Sequence, residues 1–319
     1  MIKSKTKTIL MRVDEYLSLR RQLGYKLVRE GYLLREFGRY VDESSHRGPI
    51  TAELVLHWVR LPENAAQNYL AQRLQVVRRF VRHLALEDPR TEIPSDDSLK
   101  LRRVQPHIYT KQQISDLLTA AAALSPSGGL RPQSYYTLFG LLASTGMRIG
   151  EAIRLQREEV DLKEGTLRVV NSKFSKSRLV PVHDSTLKVL RHYSVFRDRY
   201  HPSGKSTAFL LSERGDPLHY DTVNETFVNI RDRLGWKRSD DGRAPRIHDL
   251  RHSFACQRLL EWYREDVDVE HAILALSTYL GHTAVACTYW YLTGVPELLA
   301  IGAARFQHFA HGPQGDDHE

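Results

Sequence analysis

The first 86 residues carry hydrophobic side chains at the spacings of three and four that an amphipathic helix requires. Breaks at Gly24, at residues 44–49 and at residues 61–64 divide the stretch into four segments, with Thr51 as a candidate N-cap of the third. In the fourth segment the hydrophobic positions are Leu70, Leu74, Val77, Val81 and Leu84, and the arginines largely between them are Arg73, Arg78, Arg79 and Arg82. The pattern predicts an all-helical N-terminal bundle over residues 1–90, with a basic outer side on its fourth helix.

A change of pattern separates this bundle from the rest of the chain. Residues 87–107 contain three prolines, many charges and few hydrophobic side chains, which predicts an extended, solvent-facing linker over residues 91–107. Residues 108–311 then predict a second domain that opens with helices at 111–124 and 134–143. The polar residues 312–319 predict a disordered tail.

The hydrophobic period changes again within the second domain. The stretches 157–162, 165–171 and 178–183 favour short strands separated by polar turns, and helical spacing returns from Asp184 onward. The predicted fold class is therefore mainly α with a small antiparallel β-sheet, of the α+β type.

Charge distinguishes the two predicted domains. Residues 1–105 hold 20 Lys and Arg against 13 Asp and Glu, whereas residues 106–319 hold 26 against 25. Clustered Lys and Arg displace counterions from phosphates, so the basic N-terminal module indicates an anionic polymer as partner. The two cysteines, Cys256 and Cys287, allow neither a disulfide framework nor a CxxC zinc site. Without a long hydrophobic run or a secretory signal, we expect a soluble intracellular protein with no membrane partner.

Two short motifs carry candidate phosphate chemistry. Residues 144–155, STGMRIGEAIRL, place a glycine turn before a helix that begins near Arg148, with Glu151 three residues later on the same face. Residues 171–181, NSKFSKSRLVP, would present Lys173 at the tip of a hairpin. Taken singly, either feature is also typical of an ordinary solvated surface.

A third motif, HDLRH at residues 248–252, brings two histidines and an arginine into about one helical turn. His248 and Arg251 lie three residues apart and share a helix face. His248 and His252 also have the i, i+4 spacing of two zinc ligands. However, Asp249 replaces the glutamate of an HExxH site and Arg251 would place a fixed cation beside the metal. We therefore expect neither a metal nor another cofactor.

A fourth motif, YLGHTAVACTYWYLTG at residues 279–294, places a Leu-Gly-His turn before a short aromatic helix. In order, TGMRIGE, Lys173, HDLRH, the LGH of His282 and a tyrosine nine residues later resemble the tyrosine recombinases, also called the phage integrase family. The resemblance covers nearly the whole chain and is to Xer-like or transposon-borne site-specific recombinases. It implies a SAM-like core-binding bundle at residues 1–90 and a catalytic domain at 108–311.

The resemblance implies roles for the cationic residues. Arg148 and Arg251 match the paired arginines that clamp the scissile phosphate, and Lys173 matches the hairpin lysine, our candidate general acid. Negative charge builds up on the non-bridging oxygens of a phosphodiester under attack, and two bidentate guanidiniums match that geometry. No metal or ATP is then required. On the N-terminal bundle, the candidate DNA-binding residues are Arg73, Arg78, Arg79 and Arg82.

The resemblance also implies the proton carriers and the nucleophile. His248 matches the first histidine of the HxxR box and is our candidate general base, and His282 matches the histidine after the Leu-Gly turn. Glu151 matches the acidic residue that supports the first arginine. Tyr291 matches the nucleophile that forms a 3′-phosphotyrosyl linkage, while Tyr289, two residues earlier, stays open as the alternative.

By the same resemblance, the enzyme would act at specific sites on double-stranded DNA as a homotetramer, through a Holliday junction, in the cytoplasm at the nucleoid. A helix predicted at about 296–309 would dock into a neighbouring protomer through Leu298, Leu299, Ile301 and Phe306. The 31 positions from Arg251 to His282 exceed those of compact Xer recombinases, a departure that concerns a loop and leaves the chemistry intact.

Two other functions share these features. A DNA-binding architectural or regulatory protein would keep the fold without the chemistry, but every matched position here holds a chemically competent residue. A type IB topoisomerase would share the reaction and act as a monomer, which the predicted docking helix disfavours. The sequence leaves integration, transposition, cassette capture and dimer resolution open.

Overall fold

A computed structural model describes residues 7–44, 46–101, 105–170, 177–202, 204, 206–238, 243–265, 267–293 and 303. The chain divides into two compact units, Met1–Val104 and Gln105–Glu319. The division falls inside the predicted linker 91–107. In the part of the chain that is described, no helix combines the length and the hydrophobicity needed to span a bilayer.

The N-terminal unit contains the four predicted helices, which confirms that part of the fold. They are α1 (Ile9–Gln22), α2 (Val28–Glu43), α3 (Ala52–Arg60) and α4 (Gln67–Glu87). The Thr51 hydroxyl caps α3 by accepting from the Leu54 N–H at 3.3 Å, as the sequence predicts. The buried side chains of the four helices form one core, which includes Leu17, Leu34, Phe37, Trp58, Val77 and Phe80.

Arg73 differs from its predicted place on the basic outer side of α4. It lies three residues after Leu70 and four before Val77, so helical geometry puts it on the apolar face itself. Its side chain is 2% exposed, its guanidinium stacks 3.6 Å from the Trp58 ring centroid, and it donates to the Trp58 carbonyl and to Glu36. A group buried in this way cannot contact DNA, so the predicted DNA-binding role of Arg73 is wrong.

The other three arginines of α4 differ in exposure. Arg78 is partly buried and donates from Nε to the Pro94 carbonyl at 2.7 Å, so the N-terminal unit already uses it. Arg79 and Arg82 are exposed. Of the four arginines predicted to form a basic surface on this helix, only Arg79 and Arg82 are therefore exposed to do so.

The segment after α4 is largely exposed, as its composition predicts, but parts of it are bound to the N-terminal unit. The Glu92 N–H donates to the Ile50 carbonyl at 2.9 Å, and the Glu92 carboxylate caps α3 through the Ala52 N–H at 2.8 Å. Leu99, in a short 3-10 turn at Asp97–Leu99, is buried in the core of the N-terminal unit. Residues 91–101 are therefore solvent-facing over most of their length, with the Asp97 and Lys100 side chains 95% and 74% exposed, but the buried Thr91, Pro94 and Leu99 keep them from being a free linker.

The C-terminal unit begins with α5 (Lys111–Ala122), α6 (Leu130–Thr145) and α7 (Ile149–Arg154). A three-stranded antiparallel sheet follows, with β1 (Val160–Asp161), β2 (Thr166–Val169) and β3 (Arg178–Pro181) in the order β1-β2-β3. Leu167 pairs with Val180, and both side chains are fully buried. The predicted mainly α fold with a small antiparallel sheet is confirmed, with strands shorter than predicted.

Five more helices complete the described part of this unit: α8 (Asp184–Tyr200), α9 (Tyr220–Arg233), α10 (Asp249–Arg264), α11 (Val269–Leu280) and α12 (Ala286–Thr293). A large core lies among α5, α6, α8, α9 and the sheet, and a smaller one joins α10, α11 and α12 around Cys256, Leu259, Leu276 and Leu280. Apart from Ala303, the predicted docking helix 296–309 and tail 312–319 lie outside the described residues.

Candidate active site

Two helix C-termini meet at the centre of the candidate site. Helix α6 is capped by Gly146 and helix α11 by Gly281, both left-handed with φ of +62° and +69°. Glycine adopts this conformation at little cost, and an added Cβ would lie 2.5 Å from the Phe254 ring at Gly146 and 2.9 Å from the Arg178 guanidinium at Gly281. The Thr-Gly and Leu-Gly motifs of the sequence are therefore tight caps that direct the last helical carbonyls into the site.

Those carbonyls hold the two arginines that the sequence pairs. Arg251, on α10, donates from Nη1 to the Gly146 carbonyl at 2.7 Å and from Nη2 to the Leu280 carbonyl at 2.8 Å. Arg148, at the start of α7, donates from Nη2 to the Gly281 carbonyl at 2.9 Å. Helix C-termini carry partial negative charge, which favours cations there. Residues far apart in sequence thus bring two guanidiniums to one place.

Glu151 lies between Arg148 and a third arginine, Arg178. Its Oε1 accepts from Arg148 Nη1 at 2.8 Å, and its two oxygens accept from Arg178 Nη1 and Nη2 at 3.2 and 2.8 Å. Burial of the carboxyl opposes ionisation, but hydrogen bonds and charge from Arg178 and then Arg148 outweigh it and lower the pKa of Glu151 to about 2. Glu151 is therefore ionised at neutral pH.

Arg178 is the site residue that sequence reasoning missed. It is the first residue of β3, and its Nε also donates to the Tyr279 carbonyl at 2.7 Å. The available signal was the two-residue period of the strand, since Arg178 shares its parity with buried Val180 and therefore faces inward. Reading RLVP only as a strand overlooked this direction.

Three histidines surround the arginines. Burial, and then repulsion by Arg251, lowers the pKa of His248, although part of this residue stays exposed to solvent. Burial also lowers the pKa of His252 and of His282 to about 4, with the nearby charges adding to the effect. His282 Nδ1 lies 2.7 Å from the Thr288 hydroxyl, which fixes its ring. All three imidazoles are therefore neutral at pH 7 and able to accept a proton.

Tyr291 packs into this cluster, whereas Tyr289 does not. The Tyr291 ring lies 5.5 Å from the His252 ring and 6.1 Å from the His282 ring, and only 3% of the residue is exposed. Burial raises the pKa of Tyr291, which the charge and a hydrogen bond of Arg251 partly oppose. Tyr289 is 47% exposed on the same helix, α12.

The structure brings together Arg148, Glu151, His248, Arg251, His282 and Tyr291 of the predicted set, and adds Arg178 and His252. Lys173 lies outside the described residues. His248 and His252 have ring centroids 5.0 Å apart, and no cluster of three metal-ligating side chains occurs among the residues described. The assembled groups can bind a phosphate, hold a phenol beside it and accept its proton.

Residues 108–295 match the Phage integrase family. The chain is 40% identical over 306 residues to the integrase/recombinase y4rB of Sinorhizobium fredii (strain NBRC 101917 / NGR234), covering 94% of this chain and 97% of the relative. It is 28% identical to the tyrosine recombinase XerC of Mycobacterium sp. (strain JLS), over 89% and 93% of the two chains.

Two solved structures share the fold at low sequence identity. The Tn1549 transposon integrase in complex with transposon right end DNA has a TM-score of 0.66 at 14% identity, covering 95% of this chain and all of that one. A lambda integrase tetramer bound to a Holliday junction has a TM-score of 0.65 at 19% identity, covering 90% and 78%.

Proposed function

The chain belongs to the phage integrase family of tyrosine recombinases, which break and rejoin DNA in site-specific recombination, and on that premise we propose how it does so. Tyr291 attacks the scissile phosphate, and the strands exchange through a 3′-phosphotyrosyl intermediate and a Holliday junction without metal or ATP. One observation carries the proposal: Tyr291 is buried against Arg251 and two neutral imidazoles, at the point where both paired arginines converge.

The attack of Tyr291 on the scissile phosphate is a transesterification. The Tyr291 Oη forms a bond to phosphorus while the bond from phosphorus to the 5′-oxygen breaks, which leaves the 3′-phosphate on the tyrosine. The phenol is a weak nucleophile near neutral pH, so a base must take its proton. His248 serves as that base, since its lowered pKa keeps it neutral and it is exposed, whereas His252 and His282 are half-buried.

The two arginines stabilise the charge that grows on the phosphoryl oxygens. Arg251 and Arg148 already hold fixed positions through helix-end carbonyls, so no reorganisation is needed when the pentacoordinate species forms. His282 donates a further hydrogen bond to the phosphate. The departing 5′-oxygen takes a proton from Lys173, and rejoining reverses the steps with a 5′-hydroxyl of the partner strand.

The same proposal extends to binding and assembly. Exposed Arg79 and Arg82 on α4 contact the phosphates of double-stranded DNA. Four copies act together, each passing its segment 296–309 to a neighbour, in the cytoplasm at the nucleoid. The lambda integrase tetramer on a Holliday junction, a chain of the same fold, supports the assembly of four copies.

The test is covalent capture. Purified protein is incubated with a tiled set of nicked duplexes that cover the DNA on both sides of its gene, and SDS-resistant protein–DNA adducts are separated on a denaturing gel. We expect an adduct from a small number of tiles, lost in Tyr291→Phe and retained in the matched control Tyr289→Phe. An adduct that survives in Tyr291→Phe, or no adduct with any tile, contradicts the proposal.

A further inference from the structure

Resting on the proposed function, we propose that Arg178 is a positioning residue of the reaction: it neutralises Glu151 so that the charge of Arg148 is available to the scissile phosphate. Arg178 and Glu151 form a bidentate pair at 2.8 and 3.2 Å, with side chains 10% and 3% exposed. Arg178 does not itself contact the reacting atoms.

Charge balance within the trio is the basis of this assignment. Glu151 accepts from both Arg148 and Arg178, and its pKa of about 2 keeps it ionised. Arg148, Glu151 and Arg178 together carry one net positive charge. Without Arg178, the carboxylate and Arg148 would cancel each other, and of the site's described arginines only Arg251 would offer a phosphate an uncompensated charge.

Geometry also favours Glu151 as the group that Arg178 serves. Three successive carbonyls at the end of α11 each accept from a different arginine: Tyr279 from Arg178, Leu280 from Arg251 and Gly281 from Arg148. The shared anchor fixes the three guanidiniums relative to one another. Arg178 Nε is held by the Tyr279 carbonyl, so its two Nη groups face the carboxylate.

Arg178 also lies in the hairpin segment that carries Lys173, the proposed general acid. Arg178 lies five residues after Lys173, and the Tyr279 hydroxyl donates to the Pro181 carbonyl at 3.3 Å, so β3 is tied to α11 at both of its ends. A second route is then conceivable, in which Arg178 acts by holding the hairpin that carries Lys173. The experiment is designed to separate the two routes.

The substrate is a nicked duplex whose sequence is that of the captured adduct, prepared in three forms. The first form has an ordinary scissile phosphodiester. The second has a methylphosphonate at that position, which lacks the negative charge that guanidiniums neutralise. The third has sulfur in place of the bridging 5′-oxygen, and the resulting thiolate leaves without a proton from a general acid. Single-turnover rates of adduct formation are measured for wild type, Arg178→Gln, Arg178→Lys and the double variant Arg178→Gln/Glu151→Gln. Arg157→Gln, which breaks an exposed arginine–carboxylate pair with Asp198 elsewhere in the unit, is the matched control.

We expect Arg178→Gln to slow cleavage of the phosphodiester by about 100-fold and of the methylphosphonate by less than about tenfold. The double variant removes the uncompensated carboxylate and should recover to within about tenfold of wild type, and Arg178→Lys should lie between wild type and Arg178→Gln. Because the double variant leaves no buried carboxylate without its Arg178 partner, it keeps the test valid even where Arg178→Gln folds poorly.

Three outcomes overturn the assignment: an Arg178→Gln rate equal to wild type, an equal loss on the charged and the neutral phosphate, or rescue by the bridging sulfur alone. The last would indicate that Arg178 acts through the hairpin. If wild type forms no adduct with the phosphodiester, the proposed function itself fails, and this inference fails with it.

Discussion

Two buried arginines, one in each compact unit, show what distinguishes a structural cation from one available to a ligand. Arg73 is 2% exposed in the N-terminal unit and Arg251 is 3% exposed in the C-terminal unit. Arg73 has a carboxylate partner, Glu36, and stacks on Trp58. Arg251 donates to two backbone carbonyls, and among the described residues no carboxylate lies within ion-pair distance of it.

The difference appears in the pKa values of the site. Burial, and repulsion from Arg148, lower the pKa of Arg251 to about 10, so the fold disfavours its charge but leaves it ionised at neutral pH. A buried cation held only by neutral groups keeps its attraction for an incoming anion. Burial alone therefore says little about function, and the identity of the partners says much more.

The largest effect that we expect is on catalysis at Arg251. Arg251→Gln should lower the single-turnover rate of adduct formation by about 1,000-fold, because it removes a preorganised donor and its charge from the phosphate. Since the fold disfavours that charge, its removal offsets part of the cost of leaving the Gly146 and Leu280 carbonyls without a donor, and the free energy of unfolding should fall by less than in Arg73→Ala. Arg258→Gln, on the same helix but in an exposed pair with Glu261, is the control and should cleave as wild type does. A strongly destabilised Arg251→Gln would remove the contrast with Arg73.

The next effect is on stability at Arg73. Arg73→Ala should lower the free energy of unfolding of the N-terminal unit by about 2–3 kcal/mol, since it removes the stacking on Trp58 and the hydrogen bonds to Glu36, Tyr69 and the Trp58 carbonyl. Urea denaturation measures the change, and Arg79→Ala, an exposed position on the same helix, serves as the control for stability. Cleavage per folded molecule should stay as in wild type. A large loss of DNA affinity in Arg73→Ala that is still folded would contradict the buried position.

The pH dependence gives a third comparison. Adduct formation should be constant from pH 8 to about 6.5 and then fall by about tenfold per pH unit, because protonation of His248 removes the base. The lowered pKa of His248 moves this fall in rate below pH 6.5. The folded protein also becomes less stable as the pH falls, because all three histidines have lower pKa values in the folded than in the unfolded chain, which therefore binds protons at higher pH. A rate that rises as the pH falls from 7 to 6 would contradict His248 as the base.

The smallest effect concerns the exposed arginines of the N-terminal unit. Arg79→Gln and Arg82→Gln should each weaken DNA binding a few-fold and lower the slope of log affinity against log salt by about one. Arg90→Gln, 78% exposed in a pair with Asp88, is the matched control and should bind as wild type does. Fluorescence anisotropy at several salt concentrations measures the slopes, and unchanged slopes for Arg79→Gln and Arg82→Gln would place the DNA surface elsewhere.

Much of the fold follows from residue spacing alone. The breaks at Gly24 and at residues 44–49, with the cap at Thr51, mark helix ends that the structure reproduces. The order of the three strands and the helices on either side also follows from the change of period. Composition predicts the exposure of residues 91–101 but not their attachment to the N-terminal unit, because it does not record whether a polar group meets a helix end, as Glu92 does at α3.

The site shows a similar limit. Spacing places His248 and Arg251 on one face, but only the fold shows that the end of α11 holds three arginines and that Tyr291, not Tyr289, is buried beside them. Arg73 was predicted on the outer side although its spacing faces inward, and Arg178 was left unassigned although it shares the parity of buried Val180. Lys173 and the segment 296–309 stay predictions, since both lie outside the described residues.

The most direct test of the central claim is to identify the residue bonded to DNA. The SDS-resistant adduct is trimmed with nuclease, digested with protease and sequenced by tandem mass spectrometry. We predict a single modified residue, Tyr291, joined to a 3′-phosphate. A nucleotide on Tyr289 or on any other residue, or a linkage to a 5′-phosphate, would contradict the account.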